Sequence, residues 1–300
     1  MTLDRVVVGV DFSEPSQAAA RWAAAHFARG AELVLVHVVD VPEPPSFLRG
    51  RFPPGERLRE TARAGADRRL RELSLTLGAT RIWLEVREGR AAEQLGAVAA
   101  EYHADLVVAG AHGMRPGPWS RLGSTAELIT RHSPVPVLLA QGALDAPPRM
   151  LLVGLDDASI AQGVLGWART LAERFTARVA AIHVLSAPVL ESLLTLAAVT
   201  SGTPAPTIPA LESGHREDAD RWARRLVEGG LDRATSTSEI AFGDPAPEIL
   251  AAAHRIGADL ILVGRHGAGG ARPAVLGSVT AEVLRGATCP VLVVMEPSHG

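Results

Sequence analysis

Arg5-Val6-Val7-Val8-Gly9-Val10-Asp11 is an apolar run that closes on Gly-x-Asp, and Met150-Leu151-Leu152-Val153-Gly154-Leu155-Asp156 repeats the pattern. A short unbroken apolar run with turn residues after it reads as a strand buried on both faces. The repeat continues outward from there. Val34–Val38 matches Val179–Val184, both ending in His-Val. Ala104–Gly110 matches Ala258–Gly264, and Ser133–Leu139 matches Thr288–Val294. The offset is 145 residues at Asp11/Asp156 and 154 at Gly110/Gly264, so the second copy carries nine more residues between these points. They are expected between Leu185 and Pro209. Ser16–Arg29, Glu56–Leu77 and Ala91–Tyr102 have helical spacing, with Ser13 as the expected N-cap and Pro15 in the first turn. Strands alternating with helices mean parallel βαβ units. Five strands are expected in the first half: Arg5–Val10, Glu32–Val38, Arg81–Arg87, Asp105–Ala109 and Val135–Ala140. The chain thus divides into two domains, 1–142 and 149–296, joined by a proline-bearing link at 143–148.

Composition excludes several function classes. The chain has 300 residues, 47% of them hydrophobic, and a formal net charge of −3. Such a balance gives no basic footprint for nucleic acid. No apolar run is long enough to span a membrane. The opening MTLDRVVVGVD lacks the pattern of a secretory signal, so a cytoplasmic protein is expected. One cysteine, Cys289, cannot form an internal disulfide, and it reads as a small buried hydrophobe. All thirty basic residues are arginine. Without lysine there can be no P-loop lysine, no kinase-type lysine and no Schiff base. The ten histidines show no metal-ligand spacing, and no metal site is expected.

The most specific signal follows the fourth strand of each half. Gly110-Ala111-His112-Gly113 is followed after nine residues by Gly123-Ser124, and Gly264-Arg265-His266-Gly267 after nine by Gly277-Ser278. Glycines open backbone conformations closed to other residues and let a ligand come close. Successive N–H groups can converge on phosphate oxygens. Each Gly-Ser pair opens a helical stretch, whose N-terminus favours the same anion.

The spacing G-2x-G-9x-G-[S/T], with the Val-Gly-Val-Asp first strand, the His-Val end of the second and the closing Pro-Val-Leu strand, resembles the ATP-binding signature of the universal stress protein family. The resemblance spans nearly the whole chain as two tandem copies. It implies two doubly wound, Rossmann-like (adenine nucleotide alpha hydrolase-like) α/β domains. Each would hold a five-stranded parallel sheet of order 3-2-1-4-5. That order reverses between the strands ending in Asp11 and Gly110, where such sheets bind ligands. By resemblance, Gly9, Val10, Asp11 and Val38 meet adenine and ribose. Gly110, His112 and Gly113 meet ribose and phosphates, and Gly123, Ser124 and Thr125 hold the phosphates. The matching second set is Gly154, Leu155, Asp156 and Val184, then Gly264, His266 and Gly267, then Gly277, Ser278 and Val279. Pairing through the last strand would give an intramolecular pseudo-dimer or a homodimer.

Other readings stand beside these. Asp11 and Asp156 suit either a contact to base, ribose or Mg²⁺, or an N-cap for the following helix. His112 and His266 suit ligand contact more simply than catalysis, since no orienting carboxylate lies within either loop. His37 and His183 end buried strands and read as structural; Trp22, Trp167 and Trp222 read as packing. Asp157, and Ala126 against Thr280, are the visible departures between copies. The function expected is regulatory ATP binding with no catalytic residue; the alternatives are slow ATP hydrolysis and an interaction module with vestigial sites.

Overall fold

A computed structural model describes residues 2–41, 55–79, 81–113, 122–142, 146–156, 160–186, 236–266 and 275–295, with Phe47, Leu196, Val199 and Thr200. Gly267, Asp157, Trp222, positions 143–145 of the expected link and most of the long connection after Leu185 lie outside the described residues. The chain divides into two compact units, Thr2–Pro147 and Pro148–His299.

In the first unit β1 (Arg5–Gly9) leads to α1 (Glu14–Phe27), β2 (Glu32–Val39), α2 (Gly55–Thr76), β3 (Ile82–Glu88), α3 (Ala91–Glu101), β4 (Leu106–Gly110), α4 (Ser124–His132) and β5 (Val137–Ala140). All pairings are parallel. β1 lies between β2 and β4, β3 lies outside β2, and β5 lies beside β4, which gives the order 3-2-1-4-5. Val6, Val7 and Val8 are each fully buried. Successive strand side chains point to opposite faces, so helices must cover both sides of the sheet. α1 packs on β4 and β1, and α3 on β2 and β1.

The second unit repeats the plan with β6 (Met150–Leu155), α5 (Ile160–Phe175), β7 (Arg178–Leu185), β8 (Ser236–Phe242), α6 (Pro245–Ile256), β9 (Leu260–Gly264), α7 (Ser278–Gly286) and β10 (Val291–Val294). β6 pairs with β7 and β9, β8 with β7, and β10 with β9, all parallel. The order is again 3-2-1-4-5 within the unit. Among the described residues no helix is long and apolar enough to cross a membrane.

Local chemistry explains the limits of the elements. Ser13 caps α1, its Oγ accepting from the Ser16 N–H at 3.3 Å, with Pro15 in the first turn. Trp22 and Trp167 are buried, at 3% and 4% exposure, as packing residues. Strand β5 starts at Val137 rather than Val135, because Pro134 and Pro136 have no N–H for the ladder. β3 lacks the unbroken apolar pattern of β1 and β4. It is an edge strand whose Trp83 is 54% exposed, and its Glu85 and Arg87 pair with each other at 3.1 Å. The aspartates of the repeated Ala-Asp-Leu tie the sheet together. Asp105 Oδ2 accepts from the Asp4 and Arg5 N–H groups at 2.7 and 2.9 Å, and Asp259 Oδ2 from Arg149 and Met150 at 2.8 and 2.9 Å.

Helices α3 and α6, which correspond between the copies, end alike but with different residues. Gly257 follows α6 in the left-handed region at φ 63°, and Ala258 N–H returns to Ala253 O at 2.8 Å. In the first copy His103 takes that position at φ 49°, with Ala104 N–H bonded to Ala99 O at 2.8 Å. A side chain there costs about 1–2 kcal/mol, against roughly 0.5–1 kcal/mol for glycine's extra freedom when unfolded. His103 is exposed and gives up little else. His103→Gly is therefore expected to stabilise the protein by about 0.5–1 kcal/mol in urea unfolding; a loss of stability would refute the strain.

Candidate functional site

The end of β1 is pinned before it reaches any ligand. Val10 N–H bonds to Val36 O at 2.8 Å, holding the chain to β2 one residue past the end of β1. Asp11 then turns the chain into α1. Its Oδ1 accepts from the Ser13 N–H at 2.9 Å and from the Ser13 hydroxyl, and its own N–H donates to Ser16 Oγ at 3.2 Å. The cap of α1 is thus Ser13, and Asp11 braces it. Oδ2 faces the glycine loop: a Cβ built on Gly113 would lie 2.9 Å from it.

Two loop glycines are required for space and not for conformation. The glycines with left-handed φ among the described residues are Gly30, Gly78, Gly89, Gly142, Gly243 and Gly257, none of them in the loops. Gly123 sits at φ −70°, which any residue adopts, yet a Cβ there would meet Ala111 O at 3.2 Å. This corrects the expectation that the loop glycines supply unusual backbone angles. They let two stretches of main chain approach, with Gly123 N–H bonded to Ala111 O at 2.8 Å.

Gly123 is also the N-cap of α4, and no side chain caps that helix. The first-turn N–H groups of a helix have no partner within it. They open, with the exposed Ser124 and Thr125, onto a cavity of about 260 Å³. Gly9, Val10, Asp11 and Val38 line it from the tips of β1 and β2, and Gly110, His112 and Gly113 from the loop. Gly123, Ser124 and Thr125 line it from α4, so all ten residues expected at the first site meet in one place. Also in the wall are His37, which reads from sequence as structural, and Ser16, Ala91 and Leu95, which the motifs did not single out. Ala91 and Leu95 are one turn apart on α3, and Pro245 and Ile249 recur 154 residues later in the second cavity. That offset equals the one between the glycine loops, and it was the available signal.

His37 shows why a strand-end histidine serves both structure and cavity. Nδ1 lies 2.7 Å from Val10 O and must carry the proton, because a carbonyl only accepts. Its ring stacks on Phe12 at 4.5 Å, and the Arg69 guanidinium stands 4.0 Å from the centroid of the Phe12 ring. Burial holds the His37 pKa below its ordinary 6.5; the Val10 carbonyl and Asp11 oppose this and Arg69 adds to it. The unfolded chain therefore binds the proton first. The contribution of His37 to stability is complete above about pH 6.5 and is lost as the pH falls through that value toward the folded pKa. Stability of the native protein minus that of His37→Asn should fall between about pH 7 and 5; a pH-independent difference would refute it.

The second site repeats this geometry with substitutions. A cavity of about 500 Å³ is lined by Gly154, Leu155, Asp156 and Val184, by Gly264 and His266, and by Gly277, Ser278 and Val279. Those are nine of its ten expected residues, and Gly267 lies outside the described residues. His183 lines it too, with Nδ1 3.0 Å from Leu155 O. Gly277 caps α7, again without a side-chain cap. Thr280, which replaces Ala126, donates its hydroxyl to Gly264 O at 2.6 Å. His266 is buried, and Arg265 Nε lies 3.1 Å from its Nε2, which must accept.

A doubly wound α/β domain with a glycine-walled cavity at the strand reversal, duplicated in one chain, is the class that fold and site define. Comparison with known proteins gives the family. The profile of the universal stress protein family matches residues 2–141 and again 149–295. The chain belongs to the universal stress protein family, in its tandem form. A universal stress protein of Mycolicibacterium smegmatis is 29% identical, over 96% of this chain and 96% of its own. One from Mycobacterium tuberculosis is 28% identical, over 97% of this chain and 96% of its own. The crystal structure of a universal stress protein from Archaeoglobus fulgidus covers 98% of this chain and 99% of its own, with a TM-score of 0.70 and 19% identity, and shares the fold.

Proposed function

We propose that this protein is a cytoplasmic regulator that binds ATP, one nucleotide in each domain. The carrying observation is the convergence, at each sheet reversal, of an uncapped helix N-terminus, closely packed loop glycines and an aspartate at the tip of the first strand. The helix end and its serine suit phosphates. The strand-lined end, with Val38 in the first copy and Val184 in the second, offers apolar contact to a base. Asp11 Oδ2 is turned toward the loop, where a ribose hydroxyl or a nucleotide-borne Mg²⁺ would lie.

The regulatory reading is favoured over hydrolysis by the loop histidines. His112 has no hydrogen-bond partner among the described residues. In the second copy Arg265 Nε donates to His266 Nε2 at 3.1 Å, so that nitrogen is already engaged as an acceptor and is not open to take a proton from water. Mass spectrometry of nucleotide released from protein purified without added ligand should find ATP, and equilibrium dialysis should find about two ATP per chain. Absence of binding would reject the proposal. Phosphate release faster than about one per second, an ordinary enzyme rate, would replace it with the hydrolytic reading.

A further inference from the structure

Each cavity is lined by three hydroxyl residues, and the two differ in how many of these stand at the open helix end. The residue after the motif serine, the second of the helix, is Thr125 in α4 and Val279 in α7, and both line their cavities. The wall residue in the first helix is Ser16 in one copy and Ala161 in the other, but the Ser16 hydroxyl is already used, donating to Ser13 O at 3.0 Å and accepting from the Asp11 N–H at 3.2 Å. The second copy has two further hydroxyls, on Ser186 directly after β7 and on Thr280, and the Thr280 hydroxyl is spent on the Gly264 carbonyl. Ser124 and Thr125 are both exposed, and neither side chain has a hydrogen-bond partner among the described residues. In exchange the second cavity gains an apolar wall from Ile160, Val164, Val275 and Leu276, and is larger, about 500 against 260 Å³. The two loops carry equal numbers of arginine in sequence. The stretch from Gly110 to Thr125 holds two, Arg115 and Arg121, and that from Gly264 to Val279 also holds two, Arg265 and Arg272.

From this we infer that, given the adenine-nucleotide reading above, the two domains select different nucleotides. The first is a triphosphate site. The second binds adenine nucleotides with little regard to the number of phosphates, because apolar contact supplies more of its affinity. A hydroxyl donated to a charged oxygen is worth roughly tenfold or more in affinity. The Thr125 hydroxyl is the added donor at the helix end, where a polyphosphate presents more charge than a monophosphate.

The sites are separated in the full chain by Ser124→Asp and Ser278→Asp. Each puts a carboxylate where phosphate would sit, at a helix position that favours acids and so preserves the fold. Each variant should bind about one ATP by dialysis, which reports on the remaining site. With Ser278→Asp, the preference for ATP over AMP at the first site should exceed by about tenfold that seen at the second site with Ser124→Asp. Adding Thr125→Val to Ser278→Asp should remove most of that preference, and adding Val279→Thr to Ser124→Asp should create it. Equal preference at the two sites overturns the inference and leaves nucleotide binding standing, as does a Thr125→Val change that leaves the ratio unaltered. Failure of the native chain to bind any adenine nucleotide overturns both.

Discussion

Asp11→Ala is expected to cost the protein both stability and its first nucleotide, and Asp11→Asn to cost mainly the nucleotide. The two oxygens of this carboxylate have different tasks. Oδ1 holds the Ser13 N–H at 2.9 Å and the Ser13 hydroxyl, and Ser13 in turn caps α1. Alanine removes the brace from a buried cap, a loss of about 1–2 kcal/mol. Asparagine keeps an oxygen at the Oδ1 position, so its stability should fall within about 0.5 kcal/mol of the native protein, the usual range for a change that breaks no such contact. Oδ2 faces Gly113 and the loop. There both variants lose the charge that would meet a ribose hydroxyl or a phosphate-bound cation, and affinity at the first site should drop about tenfold or more. Urea unfolding and dialysis on the two variants separate the tasks. If Asp11→Asn binds ATP like the native protein, Asp11 serves only the cap.

Much of the fold could be read directly because buried parallel strands announce themselves. Val6–Val8 and Leu106–Ala109 are apolar without interruption, and both are buried on each face. The edge strand β3 was placed within one residue, although its Glu85 and Arg87 break the apolar pattern. Strand ends were harder to place, since the start of β5 depends on which N–H groups two prolines remove. Most of the cavity was legible through the repeat: a residue type recurring at one offset in two copies is seldom accidental. What stayed hidden was tertiary. Leu95 reaches the cavity from a helix fifteen residues before Gly110, and nothing in its own neighbourhood marks it. The Phe12–Arg69 stack joins residues far apart in the chain. Glycine is ambiguous in a sequence, because a demand for space and a demand for left-handed φ leave the same letter. Gly113 and Gly123 answer the first demand, and Gly257 the second.

Gly113→Ala follows from the demand for space and should act on the ligand far more than on the fold. The new methyl would lie 2.9 Å from Asp11 Oδ2, closer than such contacts occur. The carboxylate cannot simply swing away, since Oδ1 is held by Ser13. Either the loop retreats or the brace on Ser13 loosens, at about 1–2 kcal/mol, the range for a small overpacked substitution. A two-state domain of this size has several times that in reserve, so the protein should remain folded, with a modestly lower Tm. The nucleotide meets two changes together: a methyl on the cavity wall and a displaced carboxylate opposite it. A shift of 1.4 kcal/mol is tenfold in affinity, and the two effects combined should weaken ATP at the first site by roughly ten- to a hundredfold. The second site lies in the other domain and should titrate normally, so dialysis at moderate ATP should count about one nucleotide where the native chain counts about two. A Gly113→Ala protein that still binds two, with native affinity, would remove this loop from the site.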